Sequence, residues 1–205
     1  RGCIMDYDFL FGELPKKIFP YDMDAYLKSG RFVLVATNCL TGKAAYFDTP
    51  RDIDDLLLKC RASCSLPFAC PMVEVGGVPM LDGGIADALP IRRAQSDGYE
   101  KCVVVLTRNK GYRKNEKFSH VPRFIYPKYP ELRRALASKN ARYNRSLYYI
   151  EELERAGKVV VIRPESPLKV NRLERSAKRL EALYREGYAC AERALERIRE
   201  LAASK

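Results

Sequence analysis

Apolar residues fall along the chain in two patterns, short unbroken runs and helical stripes, and each predicts a different element. Residues 31–37 (RFVLVAT), 101–107 (KCVVVLT) and 158–162 (KVVVI) are continuous and rich in β-branched side chains, the signature of strands buried on both faces. Residues 44–47 follow the turn signal Thr41-Gly42-Lys43 and read as the strand returning from the first run. Residues 73–81 (VEVGGVPML) read as two short strands around Gly76-Gly77, a hairpin signal. Helical spacing dominates residues 131–156, where Leu132, Leu136, Tyr143, Leu147, Ile150 and Leu153 recur at steps of three, four and seven, with Gly157 as the C-terminal cap. A last helix is predicted after Asn171, which with Glu174 has the spacing of a capping box. It carries Leu173, Ala177, Leu180, Tyr184, Ala191, Ala194, Ile198 and Leu201 on one stripe.

Shorter helices are predicted over residues 23–28, over residues 52–61 and over residues 90–97, the last ended by Gly98. The second opens with acidic residues that suit the positive end of a helix dipole. The first 30 residues are mixed, with Phe9, Leu10, Phe11, Leu14 and Ile18 as expected core anchors. Alternating strands and helices predict an α/β fold with a sheet covered on both faces. The segment Pro164-Glu-Ser-Pro167 is the best boundary, dividing a body of residues 1–163 from a helical extension of residues 164–205. The longest uncharged run, residues 62–73, is 12 residues broken by Pro67 and Pro71, so no membrane-spanning helix is expected. The chain opens on Arg1 and not on methionine, which raises the expectation that polypeptide upstream is missing.

Charge changes the picture because it is uneven. Residues 1–100 carry a net charge of −3 and residues 101–205 a net charge of +14. Such a field draws in nucleic acid, an anionic membrane surface or an acidic partner, although solvated helix faces account for it equally well. Seven cysteines (Cys3, Cys39, Cys60, Cys64, Cys70, Cys102 and Cys190) lie in apolar segments, which predicts reduced, buried thiols and a cytosolic compartment. No C-x-x-C pair accompanies them and the single histidine, His120, is distant, so no metal or other cofactor is expected.

The candidate chemistry lies in residues 62–90, ASCSLPFACPMVEVGGVPMLDGGIADALP. A carboxylate at the end of a strand is held by ordered backbone, and two following glycines allow a tight turn and close approach of another segment or ligand. That makes Asp82, with Gly83 and Gly84, the candidate site; alone, Asp-Gly-Gly is also a common turn. Asp87, five residues on, reads as a structural carboxylate near the helix at Pro90, with Arg92 and Arg93 available to pair with it or to face phosphate headgroups. Ser63 and Ser65 lack the flanking glycines that a strained nucleophile turn uses, and His120 stands shortly before a proline in a polar loop, so none of the three is assigned a catalytic role.

The string A-S-x-S-x-P-F, a further proline, the glycine-pair hairpin and L-D-G-G-I-x-D-x-L-P together resemble the patatin-like phospholipase family. Val35-Ala36-Thr37-Asn38, Thr41-Gly42 and Phe47-Asp48 look like that family's strand and turn ahead of the block. The resemblance spans residues 31–108 clearly, residues 1–30 more weakly, and reaches the basic tail only as an extension. It implies part of a three-layer α/β fold with a mostly parallel sheet, followed by C-terminal basic helices.

It also implies hydrolysis of lipid acyl esters, phospholipids included, by a serine and aspartate dyad without a cofactor. In that scheme a G-x-S-x-G serine attacks the carbonyl, the aspartate of the Asp-Gly-Gly turn takes its proton, and a glycine-rich loop stabilises the oxyanion. Of these parts only the aspartate maps here, onto Asp82; no serine in the chain has glycines at both required positions. Two possibilities stand open, a chain that is the aspartate half of a longer or separately completed domain, and a shortened product without hydrolase activity. The first calls for the missing N-terminal part or for self-association, with a cytoplasmic enzyme peripheral to an anionic membrane. The alternative class is a non-catalytic basic binding module for an acidic protein or nucleic acid. For nucleic acid, Tyr143, Tyr148 and Tyr149 among Arg142 and Arg145 are the nearest approach to a stacking platform, and core packing explains them better.

Overall fold

The computed structural model describes residues 6–48, 50–116, 121–171 and 174–204. His120 therefore lies outside the described residues, as does Leu173 of the expected final stripe. The chain separates into two compact units, Arg1–Ala88 with Asn115–Tyr143, and Leu89–Lys114 with Asn144–Lys205. The units interleave along the chain and cut across the division expected at residue 163, because contacts define them. The last strand ends before Pro164 and yet packs with the helix that follows it.

In the first unit, β1 (Leu34–Asn38) and β2 (Ala44–Phe47) pair antiparallel, joined by a tight turn in which Gly42 adopts φ +66°. β3 (Val73–Val75) and β4 (Val78–Asp82) form the hairpin expected at Gly76-Gly77, whose φ values of +60° and +76° are the left-handed conformation that glycine adopts without a Cβ penalty. β1 also pairs antiparallel with β4, bringing Ala36 opposite Asp82 and Thr37 opposite Leu81, so the sheet order is β2-β1-β4-β3. This departs from the mostly parallel sheet expected: among the described residues, four strands form an antiparallel sheet, because the two short-turn hairpins are joined through the antiparallel pairing of β1 with β4, while β5 and β6 pair parallel.

α1 (Met23–Lys28) is capped by Asp22, whose side chain accepts the Ala25 N–H at 2.8 Å. α2 (Ile53–Ser63) is capped by Asp52 in the same way through the Asp55 N–H, also at 2.8 Å, and packs on the sheet, with Ala62 in one apolar cluster with Ala36, Val73, Val75 and Met80. Before α1, residues Phe9–Ile18 form a π-helical segment interrupted by Pro15, with none of its residues buried. Phe9 and Ile18 are exposed, so the core anchors expected there do not enter the core; the buried aromatic of this region is Tyr7.

The second unit holds α3 (Ile91–Ser96), the parallel pair β5 (Cys102–Val105) and β6 (Val159–Ile162), and α5 (Ala177–Ala203). β6 is buried as expected, but β5 alternates and leaves Val103 and Val105 exposed, so only one of its faces is covered. α5 starts later than predicted. Ser176 caps it, while the Glu174 carboxylate accepts the N–H groups of Arg175 and Ser176 ahead of the helix, in place of the box with Asn171. α4 (Pro130–Arg155) is continuous and contributes residues 130–143 to the first unit and 144–155 to the second. Gly157, at φ +68°, ends it, with the Lys158 N–H closing on the Leu153 carbonyl.

Candidate active site

Asp82 is the last residue of β4 and caps the single 3₁₀ turn Gly83–Ile85. Hydrogen bonds from backbone and side chain fix it. Its N–H donates to the Ser65 carbonyl at 2.8 Å, its carbonyl accepts the Thr37 hydroxyl at 2.8 Å, and its Oδ1 accepts the Gly84 N–H at 2.7 Å. The residue is half-buried.

Each glycine of the motif has a separate steric reason. At Gly83 an added Cβ would stand 2.2 Å from the Val35 carbonyl oxygen, so the turn packs directly on the β1 backbone. At Gly84 it would stand 2.9 Å from Asp82 Oδ1, so the bare α-carbon lets the amide reach the carboxylate. The Thr37 hydroxyl, fully buried, also accepts the Ala86 N–H at 3.2 Å and thereby clamps both ends of the turn. Nothing in the local spacing announces Thr37, because its partners lie 45 and 49 residues away.

Around the carboxylate stand Tyr7, Cys64 and Ser65. The Tyr7 hydroxyl donates to the Cys64 carbonyl at 2.7 Å and reaches Cys70 Sγ at 3.2 Å, while the Arg61 guanidinium lies 5.2 Å from its ring centre. Burial raises the Tyr7 phenol above its ordinary value, with Asp82 adding to the rise, so it is a neutral donor at physiological pH. Cys64 is exposed as a residue. Partial desolvation nevertheless pushes its thiol up, and the Asp82 carboxylate pushes it further in the same direction. No sequence signal marks Tyr7: it sits in the mixed N-terminal segment, and only the fold brings it to residues 64–70.

The serines weighed as replacement nucleophiles have distinct fates. Ser63 ends α2, and Ser65 is fully buried, with its hydroxyl facing the Tyr7 phenol. Asp87 takes the Tyr46 hydroxyl on Oδ2 at 2.7 Å, and α3 has Pro90 at its N-cap with no side-chain cap, so Asp87 is anchored to β2 and does not cap α3. Arg93 pairs with Asp97 at 2.9 Å, and the Arg92 guanidinium lies over the Tyr149 ring at 3.7 Å. Tyr148 lies under Arg113 at 4.1 Å, and Arg113 also binds Glu151, so both of these aromatic rings of the expected platform are stacked within the second unit. Cys70 is disulfide-bonded, which departs from the expectation of seven reduced thiols; Cys39, Cys60, Cys64, Cys102 and Cys190 are free. No described helix is long and apolar enough to cross a membrane.

Two family models match the chain. Residues 5–94 match the patatin-like phospholipase family, and residues 129–203 match a domain of unknown function, DUF6363. The patatin-like segment contains β1 to β4 and the whole of the Asp82 turn.

Proposed function

We propose, from the patatin-like character of residues 5–94, that Asp82 is the general base of a serine–aspartate dyad hydrolysing carboxylic esters of lipids. The observation that carries this reading is the Asp82 carboxylate itself, set at a strand end and oriented through the Gly84 N–H on a turn fixed by Thr37. In the reaction, Asp82 accepts the proton of the serine hydroxyl as its oxygen attacks the ester carbonyl. The alkoxide of the lipid leaves with a proton returned from Asp82, and an acyl-serine remains. Asp82 then takes a proton from water as that water attacks the acyl group. That proton returns to the serine oxygen as free fatty acid departs.

The chain has no G-x-S-x-G, so on this reading the nucleophile and the oxyanion donors come from polypeptide outside these 205 residues. The chain alone then lacks esterase activity, because general-base assistance has nothing to activate. Ser65 does not replace the nucleophile, since it is fully buried. The +14 charge of residues 101–205 favours approach to anionic phospholipid, each basic group near such a surface contributing about 1 kcal/mol.

The test is reconstitution. The purified chain is assayed on short acyl esters and on phospholipid, alone and joined to a polypeptide bearing a G-x-S-x-G turn from a patatin-like protein. Turnover is expected only from the joined form; turnover by the chain alone, lost on Ser63→Ala or Ser65→Ala, would replace this reading with a different dyad.

A further inference from the structure

The domain of unknown function begins inside the unit that carries Asp82. Residues 129–143 of its match belong to the first compact unit, and residues 144–203 to the second. Leu132, Ala135 and Leu136, all buried on one face of the leading half of α4, form a single apolar cluster with Cys39, Leu81 and Ile85. Leu81 directly precedes Asp82, and Ile85 closes the 3₁₀ turn after it, so the helix packs against both flanks of the motif.

Two further contacts fix this helix to the same place. At Gly42 an added Cβ would lie 2.5 Å from the Glu131 carbonyl oxygen, so the turn after β1 touches the helix backbone itself. At the other end, Arg142 Nη2 bonds the Ala135 carbonyl and the Ser138 hydroxyl at 3.0 Å each, and reaches the Ile85 carbonyl at 3.4 Å. The leading half of α4 is thus held at Glu131, through Leu132 and Leu136, and at Arg142. Each of these contacts reaches the turn after β1, the end of β4 or the Asp82 turn.

We propose that residues 130–143 of α4 are a positioning element for the Asp82 turn, which gives the first part of the domain of unknown function a role in the patatin-like site. Packing against Leu81 and Ile85 limits how far the turn can open, and the Gly84 N–H stays aimed at the carboxylate only while the turn is closed. The catalytic consequence of this packing rests on the role proposed for Asp82; the packing itself is independent of that role.

Amide hydrogen exchange in the full chain, followed residue by residue by NMR, tests this. Leu136→Ala removes packing on the turn. Leu153→Ala removes a comparably buried leucine from the trailing half of the same helix and serves as the control. Leu136→Ala is expected to speed exchange at Gly84 and Ala86 about tenfold or more, while Leu153→Ala leaves both within about twofold of the parent. The Gly84 amide proton shift, which reports its bond to the carboxylate, should move in Leu136→Ala only, and Leu136→Met should restore it. If Leu136→Ala does not fold, Leu136→Val and Arg142→Gln are read in the same way. Equal effects from both halves of the helix, or no effect of the leading-half variants at Gly84 and Ala86, would overturn the proposal. Because no substrate is involved, such a failure leaves the hydrolase reading standing, and a failed reconstitution leaves the exchange result intact.

Discussion

The buried hydroxyl of Thr37 donates to the carbonyl of Asp82 at 2.8 Å while accepting the Ala86 N–H at 3.2 Å. One side chain on β1 therefore ties both ends of the turn that presents the carboxylate. Thr37→Val keeps the shape and removes both bonds, so the Asp82 carbonyl loses the hydroxyl and the Ala86 N–H is left to the Gly83 carbonyl at 3.1 Å. It is expected to cost about 1–3 kcal/mol of stability, and Thr37→Ser should recover most of it. Denaturant unfolding of the three proteins checks this; equal stability of the valine and serine variants would show that the hydroxyl does not hold the turn.

Gly83 faces a harder constraint. The 2.2 Å distance from an added methyl to the Val35 carbonyl oxygen is far inside contact range, and the obstacle is backbone within a paired strand, not the end of a flexible side chain. Gly83→Ala is expected to destabilise the first unit by about 3 kcal/mol or more. Gly98→Ala, where no atom lies within 4 Å of the added carbon, should cost only the strain of its positive φ. Thermal unfolding that ranks Gly98→Ala as the worse variant would contradict the packing assigned to Gly83.

Acid lability should arise in part at Asp55. Its carboxylate accepts Lys59 Nζ at 2.7 Å and the Arg51 N–H at 2.8 Å, and the Lys59 bond is the first cause of a pKa below its ordinary value of 3.8. A folded-state pKa below the unfolded one means a contribution present above pH 3.8 and lost as pH falls through the lower, folded value. Asp55→Ala should lose about 1–3 kcal/mol at about pH 7 and should show a smaller further loss on acidification than the parent. Parallel stability curves of parent and variant from about pH 6 to about pH 2 would rule this contribution out.

Cysteine reactivity reports on the neighbourhood of Asp82. Cys39 is fully buried and its thiol is pushed up to about 12 by burial, so alkylation should reach it only on unfolding. Cys64 is exposed but its thiol is raised, first by desolvation and then by the Asp82 carboxylate. Asp82→Asn removes that negative charge, lowers the thiol pKa and increases the thiolate fraction near neutral pH. Alkylation of Cys64 should then quicken by about twofold or more, as followed by peptide mass spectrometry. An unchanged or slower rate would mean that the carboxylate and the thiol do not interact.

Much of the local structure was legible because its causes are local. The Gly76-Gly77 hairpin, the Asp52 start of α2, the helix over residues 23–28 and the Gly157 stop are each decided by a few adjacent residues. The direction of the sheet was not, since it depends on β1 pairing with β4 across more than 40 residues of chain. The same kind of distance hid Tyr7 and Thr37, whose hydroxyls bond partners 45 to 63 positions away. Asp82, Gly83 and Gly84 stood out as an adjacent motif, although the reason for Gly83, its contact with the Val35 backbone, lies 48 residues away. Val103 and Val105 misled, because a run of β-branched residues looks the same whether one face or both are covered.

Whether Asp82 is the base of an ester-hydrolysing dyad is decided by the turnover of a polypeptide that joins these residues to a G-x-S-x-G nucleophile segment. Parent and Asp82→Asn are compared on a short acyl ester and on phospholipid vesicles at matched folded concentrations. If Asp82 is the base, Asp82→Asn lowers kcat by about 10²- to 10⁴-fold with little change in KM and with the fold retained by circular dichroism. Turnover of Asp82→Asn within a few-fold of the parent would remove Asp82 from the chemistry.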